Sequence, residues 1–168
     1  MSVFATELIT FNLTATDKVD AISQMAQLVV AAGRGSDAEV ITKDVLLRDE
    51  MGTPQVDGVA IPHARSKGVS QSSVVVARTN GVVFDPEEDP ADVLFMILVP
   101  DGDSNEHIEI LSGLARRLMD PEFTSSLRTS NDANASIKFP FDSEEYTLRL
   151  YKNDELLYQD GLPAQLYT

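Results

Sequence analysis

The run Val93-Leu94-Phe95-Met96-Ile97-Leu98-Val99 is apolar at every position. A strand with one face in water alternates apolar and polar residues, so this unbroken run predicts a central strand buried on both faces. Two buried faces need a layer on each side, and the flanking sequence supplies the material. Glu7 to Leu13 and Ser73 to Arg78 read as further strands, with Val82-Val83-Phe84 as a short one. Two helical patterns lie between the first two strands. Thr16 or Asp17 is the N-cap of the first, whose Val19, Ile22, Met25, Ala26 and Val29 recur at helical spacing as far as Gly33-Arg34-Gly35. Ser36, with Glu39 three residues on, makes a capping box for the second, which runs through Ala38, Ile41 and Val45 and ends by Gly52. Arg48 is the next position on that stripe, so a guanidinium continues a face that begins apolar. Strands and helices interleaved in this order define an α/β domain: a mixed β-sheet flanked by α-helices.

The chain has 168 residues, enough to bury a core without disulfides or metals. Its 13 Lys and Arg against 27 Asp and Glu give a net charge of −14. That balance argues against nucleic acid and anionic membrane surfaces, both of which need cationic neutralisation. The absence of Cys excludes a disulfide framework, a thiolate nucleophile and a Cys-type zinc site. The N-terminus has no basic start followed by an apolar run, and no apolar run is long enough to span a bilayer; the expectation is a cytoplasmic protein with no direct membrane insertion.

Only two histidines are present, and both fall in suggestive places. Turn residues from Thr53 to Gly58 lead into Val59-Ala60-Ile61 and then Pro62-His63. Proline fixes its own φ and restrains the residue before it, so His63 is presented on a stiff backbone just past a strand. The loop Asp101-Gly102-Asp103-Ser104-Asn105 ends in N-cap residues and opens a third helix. Its core-facing stripe is His107, Leu111, Leu114 and Leu118, with Arg116-Arg117 near its C-terminal end. After Asp120-Pro121 a short helical segment, Glu122 to Leu127, is expected. The acidic stretch Asp85 to Pro90 reads as a solvated loop.

Taken singly, each candidate has a plain reading: His63 as a loop histidine, His107 as a satisfied half-buried one, Arg48 as a side chain snorkelling to the rim. Together they would form a nucleophilic nitrogen, a second imidazole at a helix N-terminus and a planar fork suited to phosphate. That set is adequate for phosphoryl transfer through a phosphohistidine, a reaction that asks chiefly for position and charge neutralisation. No phosphate-binding loop, nucleophile elbow or zinc-binding helix occurs. A metal site built from the two histidines would have to borrow Asp57 and Glu106, so no metal and no cofactor are expected.

The stretch Val56-Asp57-Gly58-Val59-Ala60-Ile61-Pro62-His63 resembles the G-x-A-[IL]-P-H phosphorylation motif of the fructose/mannitol-type enzyme IIA domains (EIIA type-2) of the bacterial phosphoenolpyruvate-dependent sugar phosphotransferase system (PTS). Leu47-Arg48-Asp49-Glu50 looks like that family's arginine-bearing helix end, and the segments from Val93 to Pro100 and Glu106 to Leu118 look like its buried strand and second-histidine helix. The resemblance covers roughly Val3 to Leu127. It implies that His63 is the phosphoryl acceptor, His107 its active-site neighbour and Arg48 a side chain that assists transfer. The group would arrive from phospho-HPr and leave to a cysteine of a PTS IIB domain, whether the chain works free or within a larger IIABC permease.

Val82 to Asp85 and the loop Leu98-Val99-Pro100-Asp101-Gly102-Asp103 are similar to fructose-type domains. The alternative is a nitrogen-type regulatory protein, in which phosphorylation of the same His63 controls partner binding. A third reading is a domain kept for interaction alone, against which His63, His107 and Arg48 all speak.

The family's closing helix is not where the resemblance would put it. Ile137 to Phe141 and Tyr146 to Tyr151 are strand-like, and Lys152 to Glu155 turns into Leu156 to Tyr158, a β-hairpin pattern, the alternatives being a partly ordered tail or a remodelled edge. The expected organisation is therefore a PTS EIIA type-2-like domain over residues 1–136 and an atypical strand-like C-terminal extension over 137–168. That extension carries −3 of the net charge, leaving −11 on the part that resembles the family.

Overall fold

A computed structural model of the chain describes residues 5–102, positions 121, 124, 125 and 128, and the backbone of 135–138, 149–152 and 155–159. The apolar run becomes the middle of β6 (Ala91–Pro100), and the sheet is assembled around it. β5 (Ser73–Val82) lies antiparallel on one side, and β1 (Ile9–Leu13), preceded by a single 3-10 turn at Thr6–Leu8, runs parallel to β5. On the other side two short strands share one edge of β6. β3 (Val59–Ala60) pairs in parallel with Val93 and Leu94, and β4 (His63–Ser66) pairs in parallel with Ile97 to Pro100. β2 (Gln55–Val56) completes an antiparallel hairpin with β3. The sheet is mixed, as expected, and β6 is buried on both faces: Leu94, Met96 and Leu98 on one, Val93, Phe95 and Val99 on the other, each 2% exposed or less.

Helices α1 (Lys18–Ala31) and α2 (Ala38–Asp49) cover the first of those faces. Ile22, Met25 and Val29 of α1 and Ile41 and Val45 of α2 interlock with Leu94, Met96 and Leu98 in one apolar cluster. Burying side chains of this size contributes about 1.5–3 kcal/mol each. Val19, at the margin of the α1 stripe, is 47% exposed, and Ala21 takes its place in the core.

Asp17 caps α1, accepting from the Asp20 N–H at 2.8 Å. The capping box expected at Ser36 does not form. The Ser36 N–H is held by the Gly68 carbonyl at 2.8 Å, which keeps this residue in the inter-segment contact, and the helix begins one residue later. Asp37 is the cap, its carboxylate accepting from the N–H groups of Glu39 and Val40.

Of the short strand expected at Val82-Val83-Phe84 only Val82 is strand, as the last residue of β5. The register shifts between Arg78 and Val82, Val82 pairs with Ala91, and Val83 turns to solvent while Phe84 returns to the core. Residues 85–90 form an exposed acidic loop.

The helical segment expected at Glu122 to Leu127 is represented by helical backbone at Pro121, Thr124, Ser125 and Arg128. The third helix, with His107, Leu111, Leu114, Leu118 and Arg116-Arg117, lies outside the described residues. A three-stranded antiparallel sheet follows in the order β7 (Ala135–Lys138), β8 (Arg149–Lys152), β9 (Glu155–Gln159); the strand expected from Ile137 begins at Ala135, two residues before the extension, and pairs with the hairpin. Among the described residues no helix is long and apolar enough to cross a membrane.

Candidate functional site at the sheet edge

The site grows out of the turn at Asp57-Gly58. Both residues have positive φ, 51° and 79°, the backbone that a two-residue hairpin loop requires and that Asp-Gly supplies at low cost. The hairpin brings Val59-Ala60 alongside β6, and Pro62 then steps the chain outward so that pairing resumes at His63. His63 is therefore the first residue of a strand rather than a loop residue beyond one. Strand alternation puts Ala64 against the α1–α2 cluster and sends His63 and Arg65 to the other side, beside their register partners Ile97 and Val99.

The imidazole is oriented by its own backbone. His63 Nδ1 lies 3.0 Å from the carbonyl oxygen of Ile61. A carbonyl only accepts, so Nδ1 carries the hydrogen and donates it. In the neutral ring the lone pair then resides on Nε2. Ile61 is itself fixed, its N–H donating to the Pro54 carbonyl at 2.9 Å.

His63 opens into a cleft of about 600 Å³ that runs round the β4 edge of the sheet to the last two turns of α2. Arg48 and Arg65 line it together with Asp44; Leu47 and Met51 supply an apolar wall, and Ile97 and Val99 the floor. Arg48 Nη1 donates to the Gly52 carbonyl at 3.3 Å across the end of α2. Gly52 has φ +98°, which lets the chain leave the helix directly beneath the guanidinium. The structure thus brings two of the three expected residues, His63 and Arg48, to one cleft. His107 lies outside the described residues.

Arg65 is a cleft residue that sequence reading missed. The signal was available: two residues beyond His63 is the same face of a strand, once His63 is recognised as a strand residue. Leu47 and Met51, 64% and 81% exposed, are likewise unusual beside polar groups. Among the described residues no three imidazoles or carboxylates converge as a metal ion would require. Asp57, considered as a ligand, sits at the hairpin tip with its carbonyl accepting from Arg128 at 2.9 Å.

An imidazole with its lone pair on Nε2, guanidinium groups on the walls and an apolar rim suit a domain that takes up an anionic group from another protein. The comparisons name the family. Residues 2–139 match the model described as phosphoenolpyruvate-dependent sugar phosphotransferase system, EIIA 2, and the chain belongs to that family. Its members transfer phosphoryl groups.

The chain is 39% identical over 124 residues to a PTS system fructose-specific EIIA component of Haloferax volcanii, covering 72% of this chain and 80% of the relative. Nitrogen regulatory protein IIA-Ntr from Neisseria meningitidis superposes with a TM-score of 0.67 at 27% identity, over 77% of this chain and 90% of that one. Enzyme IIA for mannitol from Escherichia coli, solved as a complex with phosphorylated enzyme IIB, superposes with a TM-score of 0.61 at 27% identity, over 77% and 92%.

Proposed function

We propose that this protein is a phosphoryl carrier of a sugar phosphotransferase system, with His63 as the residue that bears the group. The observation that carries this reading is the bond from His63 Nδ1–H to the Ile61 carbonyl, which leaves the lone pair on Nε2 of a residue that lines one cleft with Arg48 and Arg65.

The Nε2 lone pair attacks the phosphorus of phospho-HPr; the new P–N bond forms as the donor's P–N bond breaks, and the donor imidazole leaves with the electron pair. The proton stays on Nδ1, donated to the Ile61 carbonyl throughout, so the positive charge of the phosphorylated ring faces a fixed carbonyl dipole. Arg48 neutralises the phosphoryl oxygens with a planar fork, and Arg65 faces the same space. His107 is the active-site neighbour. In the onward step a cysteine thiolate of a IIB domain attacks the same phosphorus, and the bonding pair returns to Nε2. The chemistry takes place between protein nucleophiles and calls on no cofactor. The cytoplasm is the compartment in which such a relay works.

Fructose is the sugar favoured by the likeness to the Haloferax volcanii component. The nitrogen-type reading is favoured by the likeness to IIA-Ntr, and it differs in what happens after His63 is charged. Incubation with phosphoenolpyruvate, enzyme I and HPr should add one acid-labile phosphoryl group, carried on Nε2. Undiminished labelling of His63→Ala would remove His63 from the mechanism. Onward transfer to a fructose-type IIB domain separates the two readings: a sugar carrier discharges to it, whereas a nitrogen-type regulator stays charged.

A further inference from the structure

Asp49, the last residue of α2, lies one position beyond Arg48, and its carboxylate is only 8% exposed. A negative charge there is opposed by the helix dipole and by desolvation. Its partner is no better placed by its own helix. Lys18 opens α1, where the dipole opposes a cation, yet its Nζ lies 2.6 Å from Asp49 Oδ2. Each charge stands at the unfavourable end of its helix. Replacing such a pair by apolar residues of similar volume is often neutral or stabilising, so docking two helices is not by itself a sufficient account of it.

The other carboxylate oxygen points to a further role. Asp49 Oδ1 accepts from the Thr53 hydroxyl at 2.6 Å. Thr53 precedes Pro54, whose carbonyl accepts the Ile61 N–H at 2.9 Å, and the Ile61 carbonyl accepts from His63 Nδ1 at 3.0 Å. We infer that Asp49, held by Lys18, is a positioning residue for the imidazole: through Thr53 and the Pro54–Ile61 bond it sets the height of the carbonyl that selects the His63 tautomer. Because the same residue ends the helix that carries Arg48, it also sets the guanidinium against the ring. The carboxylate touches neither the cleft nor the transferred group; it acts through these contacts alone. This role rests on the reading of His63 as the phosphoryl carrier.

The test compares Thr53→Val, Asp49→Ala and Lys18→Gln with the wild type in the full chain. The tautomer of His63 is read by long-range proton–nitrogen NMR, transfer from phospho-HPr by rapid quench, and folding by circular dichroism and melting. Thr53→Val removes a single hydroxyl and keeps the ion pair, so it decides the matter even where Asp49→Ala fails to fold. The expected result is a ring in which the Nδ1–H tautomer no longer dominates, with a transfer rate constant lowered about tenfold and a KM for phospho-HPr within about twofold, the scale on which displacing a reacting group acts. A ring and rate constant unchanged in folded Thr53→Val overturn the inference, and so does a change confined to melting temperature. A wild type that takes up no phosphoryl group defeats the carrier reading instead, and the NMR comparison still decides whether Thr53 and Asp49 orient the ring.

Discussion

Replacing Arg48 by alanine separates its structural contact from the part in phosphoryl transfer proposed for it. In the resting protein the guanidinium makes an exposed bond to the Gly52 carbonyl at 3.3 Å. A long, solvent-exposed bond of this kind contributes at most about 1 kcal/mol, and the Gly52 carbonyl is hydrated once it is lost. The core positions of α2, Ile41 and Val45, are untouched, so the denaturation midpoint should move little. In the transfer step the same fork would bind phosphoryl oxygens. Hydrogen bonds to charged groups are worth about 1.5–3 kcal/mol each, and about 1.4 kcal/mol is a factor of ten in rate. Losing one such contact slows transfer roughly tenfold to a hundredfold, and losing both tines of a bidentate contact slows it further. Arg48→Lys keeps the charge and loses the fork, so it should fall between the wild type and the alanine variant. Rapid-quench transfer from phospho-HPr, alongside chemical denaturation, reads both quantities. Arg48→Ala transferring within about twofold of wild type would refute the placement of the guanidinium on the phosphoryl group, since that is below the weakest contact considered.

Three further outcomes are expected. Leu47→Glu and Met51→Glu, on exposed apolar residues at the rim of the cleft, should raise the KM for phospho-HPr while leaving circular dichroism unchanged; an unaltered KM in both would show that the donor docks elsewhere. With a net charge of −14, steering toward a basic donor face should make the association rate fall as salt rises, and a salt-independent stopped-flow rate would count against it. Asp37→Ala should destabilise the protein by about 1 kcal/mol in urea, whereas Ser36→Ala should cost little, because the cap is Asp37.

The fold was legible where one periodicity dominated. The run from Val93 to Val99 announced a strand buried on both faces because neither face carries a polar side chain, and the Ile41 and Val45 stripe led directly to Arg48. Reading failed where a backbone partner distant in sequence decided the outcome. The Gly68 carbonyl claims the Ser36 N–H and delays α2 by one residue, and no local pattern contains Gly68. His63 looked like a loop residue because Pro62 interrupts the strand pattern, and only the pairing with Ile97 shows that a strand resumes there. Arg65 was missed as a consequence, since a loop has no faces. Asp49 was hidden for a different reason: as part of a charged helix end it resembles an ordinary solvated residue, and only the approach of Lys18 and Thr53 shows it buried.

Arg128 bears on where this chain can be cut. Its guanidinium grips both oxygens of Asp92 at the start of β6, at 2.9 and 2.8 Å, and also donates to the Asp57 carbonyl at the hairpin tip. Its own carbonyl accepts from Arg78 Nη1 on β5 at 3.0 Å. One residue thus staples a turn and two strands that lie 36 to 71 residues upstream. Fragments ending before it would lose these bonds to the hairpin that delivers His63 to the sheet, even though every residue of the cleft described above would still be present. A fragment that keeps this contact therefore has to extend beyond residue 128, well past the last cleft residue described.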